Sequence, residues 1–197
     1  MPGNGKVLAV ALAAAVLGVV AGVLVQRPGP LWRTEAGQRA LQAVGAATQP
    51  APPADLPVAS RGEPIPLLRL RGLDGNVVEL PRNDGKPLLI NFWASWCGPC
   101  IEEMPELDRY AKAQGADGTQ VVGIALDDAD AVRAFLQQVP VAYPIALDTA
   151  GPRDSSVQLG NRNGVLPYSV LVDADGRLLK QRLGPFARGE IDGWAQR

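Results

Sequence analysis

The stretch that most constrains this chain is Leu88-Leu89-Ile90-Asn91-Phe92-Trp93, closed by Ala94-Ser95 and followed at once by Trp96-Cys97-Gly98-Pro99-Cys100. An apolar run this short, introduced by Pro87, reads as a strand buried on both faces. Beyond it, Cys97, Cys100, Ile101, Met104 and Ala111 recur at helical spacing, which predicts a helix from Cys97 to about residue 114. Two thiols therefore lie where a buried strand passes into a helix N-terminus. The helix dipole and the unpaired amides of the first turn favour a thiolate at Cys97, and a Cys-x-x-Cys pair in this setting can bring the first thiol to about 7 from about 8.5. Pro99 fits inside the first turn, where its missing N–H costs nothing, and the turn brings Cys100 near enough to close a small disulfide ring. Cys97 is expected at the exposed helix start and Cys100 deeper.

The expected cycle is attack by Cys97 on a partner disulfide, a mixed disulfide, and release by Cys100, or the reverse. A purely structural disulfide is a weak alternative, because a loop closed over two residues removes little unfolded-state entropy. A metal site lacks two further ligands, and two buried cysteines without chemistry remain compatible with spacing alone. The chain has no histidine and only these two cysteines, which removes zinc fingers, c-type haem attachment and Ser-His-Asp or Cys-His catalysis. Nineteen Lys and Arg stand against twenty Asp and Glu, so nucleic acid as a partner has no electrostatic basis.

Upstream, Val7 to Val25 carries only Val, Leu, Ala and Gly, between Lys6 and Arg27. As a helix it covers roughly 28 Å, close to a hydrocarbon core, whereas a cleaved signal's apolar region runs ~7–15 residues. Residues 1–25 therefore read as an uncleaved membrane anchor; Val19-Val20-Ala21 would suit a signal peptidase and keeps the cleaved reading open. Charges flank the run on both sides and leave its orientation undecided. Residues 26–63 carry proline at positions 28, 30, 50, 52, 53 and 57 and read as a tether with a reach of about 35 Å, containing a short helix around Glu35 to Ala47.

Residues 64–197 read as one α/β domain. A hairpin is expected from Leu67–Leu70 and Val77–Leu80 around Asp74-Gly75, then the strand and helix of the cysteine motif. A strand at Gln120–Leu126, a helix at Asp128–Val139 capped by Asp128 or Asp130, and a strand at Ala142–Leu147 follow. After an irregular stretch come strands at Ser169–Val172 and Leu178–Leu183 and a last helix near Glu190–Gln196. This order predicts a mixed central sheet flanked by helices.

The segment from Asn91 to Cys100, followed by Glu103-Met104-Pro105, resembles the active-site segment of thioredoxin-fold thiol:disulfide oxidoreductases of the TlpA/ResA/CcmG type, and the likeness extends over roughly residues 60–197. The resemblance implies a thioredoxin-like fold with an inserted strand-helix unit. It also implies a cis-proline facing the disulfide, which Gly164-Val165-Leu166-Pro167 matches, with Leu166–Pro167 as the cis bond and the Leu166 backbone pairing with an incoming peptide. From sequence alone Pro167 equally suits a trans proline opening an edge strand.

Where thioredoxin has a buried aspartate six positions before the first cysteine, this chain has Asn91, which accepts no proton. Glu103 lies three residues beyond Cys100 on the same helical face and is the candidate base, its pKa raised by burial; family members commonly carry a glutamate at this offset. Glu102 reads as solvated. Trp96 is expected to shield the disulfide and touch partners, and Trp93 to belong to the core. The candidate site is thus Cys97, Cys100 and Glu103 for catalysis and Trp96, Gly98, Pro99, Leu166 and Pro167 for substrate, with no metal and no cofactor beyond the Cys97–Cys100 disulfide.

The resemblance further implies a reductant of specific protein disulfides, as in c-type cytochrome or copper-centre maturation. Its electrons would come from a membrane thiol transporter, and the catalytic domain would lie in the periplasm or outside the cell, held by the bacterial inner membrane; a monomer is expected. The alternatives are a general disulfide oxidant and a non-redox module that holds peptides in the same groove.

Overall fold

The computed structural model describes residues 34–48, 51–81 and 84–196. The apolar run Val7–Val25 lies outside them, and among the described residues no helix is long and apolar enough to cross a membrane. Contacts divide the chain into two units, one ending at Leu41 and one beginning at Gln42. Helix α1 (Glu35–Thr48) runs through that division, and Thr34 Oγ1 accepts the Gly37 N–H at its start, as a capping hydroxyl does.

From Gln42 onward the chain forms a seven-stranded sheet. Its strands are β1 (Leu68–Gly72), β2 (Val77–Leu80), β3 (Leu88–Trp93), β4 (Gln120–Leu126), β5 (Ile145–Asp148), β6 (Tyr168–Val172) and β7 (Leu178–Leu183), in the order β2-β1-β5-β4-β3-β6-β7. Strands β3, β4 and β5 run parallel, joined by α2 (Gly98–Gln114) and α3 (Ala129–Gln138); β1, β2, β6 and β7 add antiparallel edges. This is the mixed sheet expected from the order of elements, in keeping with the thioredoxin-like fold that the resemblance implies. The short α4 (Ser155–Gln158) and α5 (Glu190–Trp194) complete the set.

The period of two along each strand sorts the core into two layers. Leu88, Ile90 and Phe92 pack on one face with Val122, Ile124 and Val170. Leu89 and Trp93 pack on the other with Val121, Leu171 and the buried face of α2, which contributes Cys100, Met104 and Leu107. Asn91 falls between Leu89 and Trp93 on this second face, so a polar side chain is built into the layer beneath the cysteine helix.

Four local readings change. The third parallel strand starts at Ile145 rather than Ala142, because Pro144 has no N–H to give a ladder; its carbonyl accepts from Gly123 N instead. Asp128 stands at the N-cap of α3 but its side chain caps nothing, while Asp127 bonds to Ser95 and to the Asp128 N–H. The stretch read as irregular contains α4, capped by Asp154, which accepts from Ser156 N and Val157 N. Finally, the end of the segment read as a tether is bonded to the domain: Ala59 N donates to Gln158 O, Gly62 N to Leu178 O, and Asp55 pairs with Arg153.

Gly123, paired with Asn91 across β3 and β4, marks a close approach. A Cβ there would stand 2.7 Å from Ile145 Cδ1, 3.0 Å from Tyr143 Cε2 and 3.1 Å from Trp93 Nε1. The isoleucine can turn aside, but two buried rings cannot, so Gly123→Ala should cost about 1–3 kcal/mol. The urea midpoint of the oxidised protein should fall accordingly; an unchanged midpoint would show that the strand yields without strain.

Candidate active site

The fully buried β3 delivers the chain to Ala94, and the Cys97 N–H closes a turn onto the Ala94 carbonyl at 3.1 Å. Asp127, at the end of neighbouring β4, accepts both Ser95 N (2.9 Å) and Ser95 Oγ (2.6 Å), pinning the loop between strand and helix. Burial works against the Asp127 charge, but the Ser95 bonds outweigh it and hold the carboxyl below its ordinary range. Cys97 is the N-cap of α2, with Gly98 and Pro99 in the first turn. Cys97 and Cys100 form a disulfide with Cα atoms 5.3 Å apart.

Cys100 is completely buried; Cys97 is only 6% exposed, so the helix start is less open at the thiol than its position suggested. Trp96, by contrast, is 70% exposed beside the pair, and Trp93 lies in the core. Leu166 packs onto the cluster that contains both cysteines, and Leu166–Pro167 is a cis peptide bond, the isomer that sequence alone left open. The loop leading to it is braced by Asn161, whose side chain donates to Val165 O and accepts from Val165 N. Pro167 O in turn accepts from Gly184 N at 2.9 Å. The structure therefore brings Cys97, Cys100 and Leu166 into one cluster, with Pro167 adjoining and Trp96 projecting from it.

Glu103 is turned inward beneath the helix, one turn beyond Cys100, while Glu102 is exposed. Its Oε1 accepts from Asn91 Nδ2 at 2.7 Å and its Oε2 from the Phe186 backbone N–H at 2.8 Å. Asn91 Nδ2 also donates to Ser169 Oγ at 3.0 Å. Burial pushes the Glu103 carboxyl up to about 7; the bonds from Phe186 and Asn91 and the nearby Arg182 charge pull the other way without overcoming it. A carboxyl poised near neutrality one turn from a buried thiol can hold or release a proton there. The same burial raises the Tyr143 phenol well above its ordinary value, with the Glu103 and Asp108 charges adding to it.

Sequence reasoning found Asn91 and Glu103 but missed Ser169, Arg182 and the Phe186 N–H. Helical spacing carries Glu103 to Cys100, whereas Ser169 and Arg182 reach the site only through the pairing of β3 with β6 and of β6 with β7. An arginine in a short strand reads as solvated; here it is 2% exposed.

A family model described as Redoxin matches residues 60–194. Among individual proteins, the chain is 28% identical to the thiol-disulfide oxidoreductase ResA of Bacillus thuringiensis (strain Al Hakam) over 137 residues, 69% of this chain and 77% of that one. It is 32% identical to the thiol:disulfide interchange protein HelX of Rhodobacter capsulatus over 144 residues, 71% of this chain and 77% of that one. Among solved structures, the thioredoxin-related protein of Neisseria meningitidis serogroup B superposes with a TM-score of 0.57 at 35% identity, covering 63% of this chain and 93% of that one.

Proposed function

We propose, from the premise that the chain belongs to the Redoxin family and is a thiol:disulfide oxidoreductase of the ResA/CcmG type, that it is a membrane-anchored reductant of particular protein disulfides outside the cytoplasm. The observation that carries this reading is the Cys97–Cys100 disulfide at the head of α2 with the Glu103 carboxyl buried under the same helix.

In the reduced protein the Cys97 thiolate attacks one sulfur of a substrate disulfide, forming a mixed disulfide and expelling the other sulfur as a thiolate. Cys100 then gives its proton to Glu103 and attacks Cys97 Sγ. The second substrate thiolate leaves, the Cys97–Cys100 disulfide closes, and two electrons have passed to the substrate. The pair itself is the redox centre, without a further cofactor. Among the described residues nothing bonds to the Leu166 backbone, which suits it to pair with an extended substrate segment, and the exposed Trp96, Gly98 and Pro99 beside the disulfide offer further contacts to that segment. A membrane thiol transporter supplies electrons. The apolar run Val7–Val25 supports anchoring in the bacterial inner membrane, and the family resemblance supports maturation of a c-type cytochrome or copper centre as the setting.

Expression of the full chain carrying Cys100→Ser tests both halves. Thiol-sensitive adducts through Cys97 should accumulate in the membrane fraction, with substrate identified by mass spectrometry. Failure to form adducts would remove the reductase reading; a soluble chain beginning near Gly22 would remove the anchor.

A further inference from the structure

On the sheet face beneath α2, register sets Asn91, Ser169 and Arg182 side by side on β3, β6 and β7. The Arg182 guanidinium forks onto Glu190, with Nη1 3.0 Å from Oε1 and Nη2 3.0 Å from Oε2. Nη2 also donates to Pro185 O at 2.8 Å, and the guanidinium carbon stands 4.5 Å above the Phe186 ring. Glu190 Oε2 additionally accepts from Ala187 N at 2.8 Å. One buried cation thus grips the 184–187 turn at a carbonyl, at a ring and, through its carboxylate partner, at an amide. From that turn come the Phe186 N–H that holds Glu103 Oε2 and the Gly184 N–H that holds Pro167 O.

A guanidinium buried this deeply costs stability, and its Nε–H meets no acceptor among the described residues. An apolar side chain on β7 would hold a turn against α2 more cheaply, so the arginine calls for a reason beyond packing.

We propose that Arg182 is a positioning residue for the Glu103 carboxyl, acting through the 184–187 turn and through its own charge. The proposal rests on the reading of Glu103 as the proton acceptor for Cys100. The other groups around Glu103 are already engaged or uncharged. Glu106, one turn later on α2, is taken by Arg109 and the Gly189 N–H; Tyr143 faces it from the segment before β5; Asn91 and Ser169 carry no charge; Cys100 is the thiol it serves. Arg182 and its counter-charge Glu190 are the pair whose balance Glu103 senses.

Two substitutions then act in opposite directions. Arg182→Met removes the cation and loosens the turn, so the acid limb of the kcat/KM against pH profile for disulfide exchange should move up by about 1 pH unit. Glu190→Gln leaves the cation without its counter-charge, and the same limb should move down. General damage to the fold would not produce opposite signs, and Glu190→Gln keeps the test decisive if Arg182→Met does not fold. In a Glu103→Gln background neither change should shift the limb further; additive shifts would place the effect on another group and overturn the proposal. If Glu103→Gln itself leaves the wild-type profile unmoved, the reading of Glu103 fails. If it moves the profile while both Arg182→Met and Glu190→Gln do not, the Arg182 proposal alone fails.

Discussion

Glu103→Gln should stabilise the oxidised protein at pH 8 by up to about 3 kcal/mol relative to its effect at pH 4, and slow disulfide exchange while doing so. The carboxyl sits at about 7 in the fold against 4.5 as its ordinary value. A folded-state pKa above the unfolded one means that the contribution to stability is fully present below about 4.5 and is lost as pH rises through about 7. Ionising the buried group in the fold therefore costs about 3 kcal/mol more than ionising it in the unfolded chain. Glutamine removes that cost without removing the hydrogen bonds. Its oxygen can accept the Phe186 N–H, and its NH₂ can meet Asn91 once the Asn91 amide turns over to present Oδ1, an atom that has no partner now, with the Ser169 hydroxyl reversing to donate to that oxygen. The kinetic effect has the opposite sign for function: without a proton acceptor beside Cys100, the resolving step should slow by about 100-fold, within the usual range for general base catalysis. Urea unfolding of both proteins from pH 4 to pH 8 measures the first effect and stopped-flow exchange the second. Parallel stability curves across that range would show that Glu103 is solvated rather than buried.

The order of elements and the site's core could be read from the chain because both rest on local pattern. The apolar run at β3, interrupted only by Asn91, announced a strand covered on two faces, and helical spacing from Cys100 carried Glu103 inward and left Glu102 outside. What escaped depends on pairing between distant segments. Arg182 is one charged residue in a strand of mixed character until β6 sets it opposite Ser169, and β3 sets Ser169 opposite Asn91. The Phe186 N–H is a backbone donor, which no side-chain pattern can advertise. The Asp154 cap of α4 was visible in principle, since an aspartate followed by two serines is a capping signal, but the helix it starts is too short to show a periodicity. The bonding of residues 55–63 to the body escaped because it runs through backbone groups and one exposed ion pair, while the prolines around it read as a linker.

The oxidised pair should have a glutathione-equilibrium potential well below −200 mV, in the reducing range near thioredoxin's about −270 mV and far from the about −120 mV of DsbA. That gap of ~150 mV corresponds to roughly 7 kcal/mol for a two-electron couple, so it decides the direction of electron flow. A strong oxidant of this fold class owes its potential to a reduced form stabilised by a first thiol with a pKa of about 3.5, against about 7 in thioredoxin. Each unit of that difference is worth ~30 mV if it acts fully on the reduced state. Here Cys97 has the helix N-terminus in its favour, but the ionisable side chain built beneath the pair is Glu103, whose negative form opposes a thiolate. The chain has no histidine to supply a neighbouring cation, and the Arg182 charge is shared between Glu190 and Glu103. Asn91, in the place of thioredoxin's buried aspartate, adds no charge of either sign. The charges on Glu103, Arg182 and Glu190 do not add up to a cation set against the pair, and shifts of one or two units would cover less than half of the gap. The disulfide should therefore form readily and give up its oxidising equivalents poorly, which is what the proposed reductant requires. Equilibration with glutathione or dithiothreitol redox buffers, read by mass shift after alkylation, measures the potential; a value near −120 mV would reverse the direction of transfer and make the protein an oxidase.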